Sequence, residues 1–107
     1  MVSELSEVRG PDFEDAVTEV IERLGAGEVV SYGWVAAEAG YPRHARRVGS
    51  LLAQGAGGLP WWRVVRADGR LAAPHPEHQA AALRAEGVVI QDGVVRRPKP
   101  LKPGERD

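Results

Sequence analysis

Residues 31–54, SYGWVAAEAGYPRHARRVGSLLAQ, decide how this chain folds. Ser31 is a residue type that caps helix N-termini, and the segment 32–39 after it ends at Gly40, so a short helix is predicted here. After a turn at Tyr41 and Pro42, apolar residues recur at helical spacing from about Arg43 to Gln54, which predicts a second helix. Two helices joined by a tight turn form a helix-turn-helix, an arrangement that is common among proteins.

The second of these helices has a basic outer face. Its apolar positions 45, 48, 51 and 52 face the core, whereas Arg43, Arg46, Arg47 and Ser50 share the opposite face. The net charge of the chain is −1, but residues 39–67 carry five arginines and no acid, while residues 1–38 carry nine acids and two arginines. Because a polyanion responds to a local basic patch, this segment is a candidate nucleic-acid contact. Five arginines scattered over a solvated surface remain the alternative.

Shorter elements surround this pair of helices. An apolar stripe from Phe13 to Leu24 predicts an earlier helix that Asp12 caps. Asp68-Gly69, flanked by residues 63–66 and 70–72, predicts one β-hairpin, and residues 88–96 predict another. Residues 76–86 predict a last helix. The fold class is α/β, mainly helical: a winged helix-turn-helix domain over residues 12–96 with short β-hairpins, a flexible N-terminus 1–11 and a flexible tail 97–107.

Composition excludes several function classes. The 107 residues contain no cysteine, which excludes disulfides, zinc-finger ligation and every thiol nucleophile. His75 and His78 stand three residues apart but lack further ligands, so neither a metal nor a cofactor is expected. No apolar run is long enough to span a membrane, and the acidic start lacks the layout of a signal peptide, so a cytoplasmic location is expected. The protein is also expected to be a monomer.

Three aromatic residues occupy unusual places. Tyr32 opens the first helix of the pair, and Trp61 and Trp62 are adjacent after Pro60. Since neighbours on an extended segment point to opposite faces, one tryptophan at most can enter a single core. Either Trp62 packs in the core and Trp61 merely covers the surface, or Trp61 forms the wall of a pocket on which a nucleobase stacks. The spacing favours neither.

An ordered set of motifs carries a family resemblance. It comprises the segments 30–33 (VSYG), 45–49 (ARRVG), 60–65 (PWWRVV) and 85–87 (AEG). Together they resemble the DNA-binding domain of the O6-alkylguanine-DNA alkyltransferases over about residues 12–90. In that family the third motif reads Pro-Cys-His-Arg, and its cysteine accepts the alkyl group. Trp61 stands at the cysteine position here, as in the alkyltransferase-like proteins.

The resemblance implies roles for individual residues. Tyr32 would rotate the target nucleotide outward by pressing on its phosphate, and Arg46 would fill the gap left in the base stack. The small residues Ala45 and Gly49 would let the helix enter the minor groove, where Arg47 would also contact DNA. The flipped base would enter a pocket formed by residues Trp61, Trp62, Arg63 and Val64.

Two departures from the family pattern concern this pocket. Trp62 replaces a histidine that, in the enzymes, relays a proton towards the glutamate matching Glu86. Without a thiol that relay has no task, and Glu86 is expected to be a structural hydrogen-bonding residue near a helix end. The loop 54–59 is about two residues shorter than in typical alkyltransferases, which suggests a wider pocket for bulkier alkyl groups.

The function implied is non-enzymatic recognition of O6-alkylguanine in double-stranded DNA by nucleotide flipping. The bound complex would then flag the lesion for nucleotide excision repair proteins. One alternative is a winged-helix regulator that reads DNA sequence without flipping bases, in which Tyr32 and Trp61 have no role. Another is an alkyltransferase or glycosylase that uses an unexpected nucleophile.

Overall fold

The computed structural model describes residues 12–55, 57–71 and 75–96. Within these ranges it has four α-helices, one 3₁₀ turn and two sheets of two strands each. The predicted class, mainly helical α/β with a helix-turn-helix and short strands, is confirmed. The segments expected to be flexible, 1–11 and 97–107, lie outside the described residues. The elements are α1 (Phe13–Glu22), β1 (Val30–Ser31), α2 (Tyr32–Glu38), α3 (Ala45–Ala53), the 3₁₀ turn (Trp61–Arg63), β2 (Val64–Val65), α4 (Pro76–Ala85), β3 (Ile90–Gln91) and β4 (Val94–Val95).

Side-chain caps begin the first two helices as the sequence predicts. The Asp12 carboxylate accepts a hydrogen bond of 2.9 Å from the backbone N–H of Asp15. The Ser31 hydroxyl accepts one of the same length from the N–H of Trp34. After α2, Gly40 adopts the left-handed conformation (φ +94°), which glycine tolerates without steric cost. These local bonds explain why both helices start where they do.

Helix α3 is shorter than predicted. It begins at Ala45 instead of Arg43, because Arg43 adopts a left-handed backbone conformation (φ +74°) that no α-helix can contain. The N–H of His44 donates to the carbonyl of Tyr41 at 3.2 Å, which closes a turn between the two helices. Pro42 lies within this turn, as the sequence predicts.

The prediction of a hairpin around Asp68-Gly69 is right about the turn but wrong about the pairing of the strands. The turn itself forms, with the N–H of Gly69 donating to the carbonyl of Arg66 at 2.8 Å. However, Val64 and Val65 before it pair in parallel with Val30 and Ser31, and Arg70 after it forms an antiparallel bridge with Val94. Residue 72, the last of the expected second strand, lies outside the described residues. Both valines are completely buried, which is typical of a strand in a parallel pair with elements on each face.

The second hairpin is confirmed. Ile90 pairs with Val95 and Gln91 with Val94 in an antiparallel ladder. Asp92 and Gly93 connect the strands and both have positive φ, as a two-residue type I′ turn requires. This hairpin is the wing that follows α4.

The core consists of two clusters that meet at the parallel strands. The larger cluster packs α1, α2 and α3 together, and the smaller one packs α4 against the β3–β4 hairpin. Neighbouring residues of a strand point to opposite faces. Accordingly, Val64 belongs to the larger cluster and Val65 to the smaller. The parallel pair thus links the helix-turn-helix to α4 and the wing.

Candidate nucleic-acid interface

A cavity of about 880 Å³ lies beside the helix-turn-helix. Its walls come from the start of α2, one face of α3, the 3₁₀ turn and the segment after β2. Its volume falls within the range of roughly 300–1,000 Å³ that small-molecule sites occupy. The lining residues are Tyr32, Gly33, Ala45, Arg46, Gly49, Ser50, Leu52, Ala53, Gly55, Trp61, Arg66, Ala67 and His75.

The parallel strands determine where the aromatic residues of this cavity lie. Tyr32 comes directly after β1, and the 3₁₀ turn that contains Trp61 leads directly into β2. The pairing of β1 with β2 joins the two segments that carry these residues, and both side chains line the same cavity. The sequence predicts each residue separately, and the structure brings them together.

Helix α3 presents small residues and one arginine to the cavity. Ala45 and Gly49 lie one turn apart, and Gly49 packs beside Tyr32: a Cβ at Gly49 would stand 3.9 Å from Tyr32 Cε1. The exposed Arg46 lines the same cavity. Arg47 points elsewhere, with its guanidinium carbon 4.0 Å from the centre of the Phe13 ring. The basic face of α3 is therefore divided between two surfaces.

The side chains of residues 61–64 do not line a single pocket in the structure. Trp61 lines the cavity, as one of the two interpretations of the tryptophan pair requires. Trp62, Arg63 and Val64 are absent from its lining, so the prediction that they enclose the same pocket needs correction. Val64 is completely buried in the larger cluster. Trp62 packs against the smaller one, with its ring edge-on to that of Trp61 and the ring centres 6.0 Å apart.

Glu86 explains why Trp62 and Arg63 turn away from the cavity. Its carboxylate accepts hydrogen bonds from Trp62 Nε1 at 2.8 Å and from Arg63 Nη2 at 2.7 Å. It also accepts one from the N–H of Gly27 at 2.8 Å, while Arg63 Nη1 donates to the carbonyl of Leu24 at 2.7 Å. Glu86 is the C-cap residue of α4, which confirms its predicted place near a helix end.

These contacts keep Glu86 ionised. Burial alone would raise the pKa of its carboxyl group, but the hydrogen bonds from Arg63, Gly27 and Trp62, together with the Arg63 charge, lower the pKa to about 2. A second side chain of α4 holds the same segment. The amide of Gln79, which is fully buried, donates to the carbonyls of Trp62 at 3.2 Å and Val64 at 2.9 Å. Helix α4 therefore fixes the turn that carries Trp61.

Sequence reasoning missed Arg66, Ser50 and His75 as lining residues. Arg66 belongs to the basic segment 39–67, but nothing in the local sequence pattern separates it from Arg63, which is bound to Glu86. The signal that distinguishes them is the parallel pairing of β2, which only the folded chain reveals. No aspartate or glutamate lines the part of the cavity that the structure describes, so its polar character is cationic.

Over residues 12–55, 57–71 and 75–96, no three His, Asp or Glu side chains gather closely enough to hold a metal ion. His75 and His78 have ring centres 5.7 Å apart. In the same ranges, no helix is both long and apolar enough to cross a membrane. The chemical features of the cavity are thus an aromatic wall, a tyrosine hydroxyl and guanidinium groups, which suit an aromatic, anionic ligand.

Comparison with known proteins agrees with this geometry. Residues 12–88 match the family model described as 6-O-methylguanine DNA methyltransferase, DNA binding domain. The chain belongs to this family. The family resemblance inferred from the four motifs is thereby confirmed.

Relatives within the family include two named DNA base-flipping protein. The one from Escherichia coli (strain K12) is 42% identical over 82 residues, which are 73% of this chain and 64% of that relative. This chain therefore spans slightly less than two thirds of the length of that relative. The one from Vibrio parahaemolyticus is 36% identical over 77 residues, which are 68% of this chain and 77% of that relative.

Solved structures show the same fold. S. pombe Atl1, in complex with damaged DNA containing O6-carboxymethylguanine, matches with a TM-score of 0.70 and 28% identity, over 78% of this chain and 83% of Atl1. The O6-methylguanine methyltransferase of Mycobacterium tuberculosis matches with a TM-score of 0.63 and 32% identity, over 73% of this chain and 50% of that protein. The proteins similar to this chain thus include one named as a methyltransferase and others named for flipping bases.

Proposed function

We propose that this protein recognises O6-alkylguanine in double-stranded DNA by flipping the damaged nucleotide into the cavity beside Trp61. The observation that carries the proposal is the convergence of Tyr32, Arg46 and Trp61 on one cavity. An aromatic wall stabilises a nucleobase by about 1–3 kcal/mol through stacking. Flipping costs a few kcal/mol, and least for a damaged or badly paired base, which gives preference for the lesion.

Each of the three residues has a distinct part in the proposal. Arg46 lies exposed on α3 between Ala45 and Arg47, and it fills the space that the flipped base vacates. Tyr32 presses on the phosphate of the target nucleotide. Trp61 stacks on the base inside the cavity. The names of the relatives support this proposal, since two are called base-flipping proteins and Atl1 is bound to DNA with an O6-alkylated guanine.

The protein is proposed to bind the lesion without removing the alkyl group. The sequence contains no cysteine, and we infer from the resemblance of the motifs that Trp61 takes the place of the acceptor cysteine of the enzymes. A tryptophan indole is not a nucleophile of the kind that accepts an alkyl group in this family. The lesion would remain on the DNA, and the bound complex would mark it for nucleotide excision repair proteins.

A titration with two duplexes tests this proposal. They are identical except for one O6-methylguanine in place of guanine, and binding is followed by gel shift and by tryptophan fluorescence. Tighter binding to the damaged duplex, with fluorescence quenching, supports flipping. Preference for particular sequences, with equal affinity for the two duplexes, would support a winged-helix regulator instead.

A separate measurement tests whether the protein removes the alkyl group or the damaged base. The protein is incubated with DNA that carries a radiolabelled O6-methyl group, and both protein and supernatant are then counted. We expect all label to stay on the DNA. Label on the protein would identify an alkyltransferase, and a released labelled base would identify a glycosylase.

A further inference from the structure

Tyr32 and Arg66 lie side by side at one edge of the parallel strands. Ser31 of β1 is in register with Val65 of β2. Tyr32 and Arg66 are the next residues of the two strands, and parallel strands have their carboxyl ends at the same edge. Both residues line the cavity beside Trp61. The carboxyl edge of parallel strands is also the edge at which α/β sheets commonly bind ligands.

Among the residues that the structure describes, no acidic side chain pairs with Arg66. Its backbone is fixed, because its N–H donates to the carbonyl of Arg70 at 3.0 Å and its carbonyl accepts from Gly69 at 2.8 Å. Asp68, the acid nearest in sequence, pairs with Arg70 instead, with 3.3 Å between Asp68 Oδ2 and Arg70 Nε. In the ranges that the structure describes, no carboxylate lies within 4.0 Å of the exposed Arg66 guanidinium.

Tyr32 supplies a neutral donor beside this charge. Burial raises the pKa of its hydroxyl group above the ordinary value, although the charge of Arg66 acts in the opposite direction. The hydroxyl is therefore protonated at neutral pH and can donate a hydrogen bond. A guanidinium and a hydroxyl that face the same space offer charge-assisted hydrogen bonds to the oxygens of an anion.

We propose that Arg66 adds a cationic group to the phosphate contact assigned to Tyr32, so that the two residues bind one backbone phosphate of DNA next to the flipped nucleotide. The inference rests on the proposed function, since that phosphate reaches the edge of the cavity when the nucleotide enters it. Arg66 is thus a second cationic determinant of binding, on a different element from Arg46. Arg46 acts from α3 on the base stack, and Arg66 acts from the end of β2 on the backbone.

A double-mutant cycle, which combines a substitution in the protein with a modification of the DNA backbone, tests this phosphate contact. The DNA is a duplex with one O6-methylguanine, in which a neutral methylphosphonate replaces one phosphate at a time on either side of the lesion. We expect one position at which the wild-type protein loses affinity about tenfold. On DNA with an unmodified backbone, Arg66→Gln should bind more weakly than the wild type by the same factor. The methylphosphonate at the sensitive position should weaken the binding of Arg66→Gln no further. Its plot of log affinity against log salt concentration has a slope shallower by about 0.9.

Two variants serve as controls. Arg66→Lys keeps the charge, so it retains most of the affinity and the same sensitive position. Arg23→Gln changes an exposed arginine at the end of α1, away from the cavity, and should bind like the wild type. Circular dichroism confirms that all variants are folded.

Three results would overturn the inference. Arg66→Gln could bind with the affinity of the wild type, or the losses of affinity from Arg66→Gln and from the methylphosphonate could add fully at every position. The third is a loss of affinity that Arg66→Gln shows only with duplexes that contain O6-carboxymethylguanine. The third result would assign Arg66 to a carboxylate on the lesion. Each of these leaves the preference for O6-methylguanine over guanine intact. A wild-type protein without that preference would contradict the proposed function as well.

Discussion

The indole Nε1 of Trp62 lies 2.8 Å from Oε2 of Glu86 and donates a hydrogen bond to it. The same carboxylate binds Arg63 and the backbone of Gly27, so it joins the end of α4 to the 3₁₀ turn and to the segment after α1. Trp61 belongs to that turn. We conclude that Trp62 acts as a fixed structural donor to Glu86.

Replacing Trp62 with phenylalanine tests this contact. Trp62→Phe keeps an aromatic ring but removes the N–H, and it leaves Glu86 with one donor fewer. Hydrogen bonds to charged groups contribute about 1.5–3 kcal/mol, so the free energy of unfolding in urea should fall by about that amount. The preference for damaged DNA should weaken several-fold because the turn that carries Trp61 is less fixed. Unchanged stability would show that the hydrogen bond contributes nothing.

The low pKa of Glu86 predicts a pH dependence. The carboxyl pKa is about 2 in the folded protein against an ordinary value of 4.5, so ionisation favours the folded state. Its stabilising effect is fully present above about pH 4.5 and is lost as the pH falls from 4.5 through 2. Glu86→Gln should therefore have a lower melting temperature than the wild type at pH 7, with a difference that narrows below pH 4.5. A constant difference from pH 7 to pH 2 would contradict this assignment.

Arg46 and Arg47 form a matched pair of adjacent arginines on α3. Arg46 lines the cavity, whereas Arg47 lies over the Phe13 ring at 4.0 Å. Arg46→Ala should weaken binding to the damaged duplex at least about tenfold without a change in stability. Arg47→Ala should lower the free energy of unfolding by about 0.5–1 kcal/mol and weaken binding to both duplexes equally. The role of Arg46 is refuted if Arg46→Ala retains wild-type affinity for the lesion in a gel shift.

Gly49 tests how closely α3 approaches DNA. A methyl group at this position meets only Tyr32 carbons, at 3.9–4.0 Å, so the free protein has room for it. In a helix interior alanine is more stable than glycine by roughly 0.5–1 kcal/mol. Gly49→Ala should therefore raise the unfolding free energy by about this amount and still bind DNA several-fold more weakly. Equal or tighter DNA binding would show that α3 does not enter the groove at this residue.

Local sequence patterns were sufficient to predict most of the secondary structure. Asp12, Ser31 and Gly40 each act within a few residues, and Asp92-Gly93 is a local signal for the turn of the second hairpin. The first hairpin failed because Val64 and Val65 pair with residues 34 positions earlier in the chain. Their burial on both faces depends on packing between distant elements, which local alternation of residue types does not encode.

In the candidate site too, local sequence predicts some residues, whereas the places of others depend on distant parts of the chain. Tyr32, Arg46 and Trp61 were predicted from helix starts, helix faces and motif order, and they meet at the cavity. Trp62 and Arg63 follow Trp61 in sequence but are drawn away by Glu86, more than 20 residues later. Arg66 was missed because its neighbour Tyr32 is brought to it only by the register of β1 and β2.

The most direct test of the central claim compares the wild type with Trp61→Ala. For each protein, affinities are measured for the two duplexes that differ only in one O6-methylguanine. If the damaged base stacks on Trp61, the wild type should prefer the lesion by about tenfold or more, and Trp61→Ala should lose most of that preference while it still binds undamaged DNA. A wild type that binds both duplexes equally, or a Trp61→Ala protein with full preference, would contradict the account.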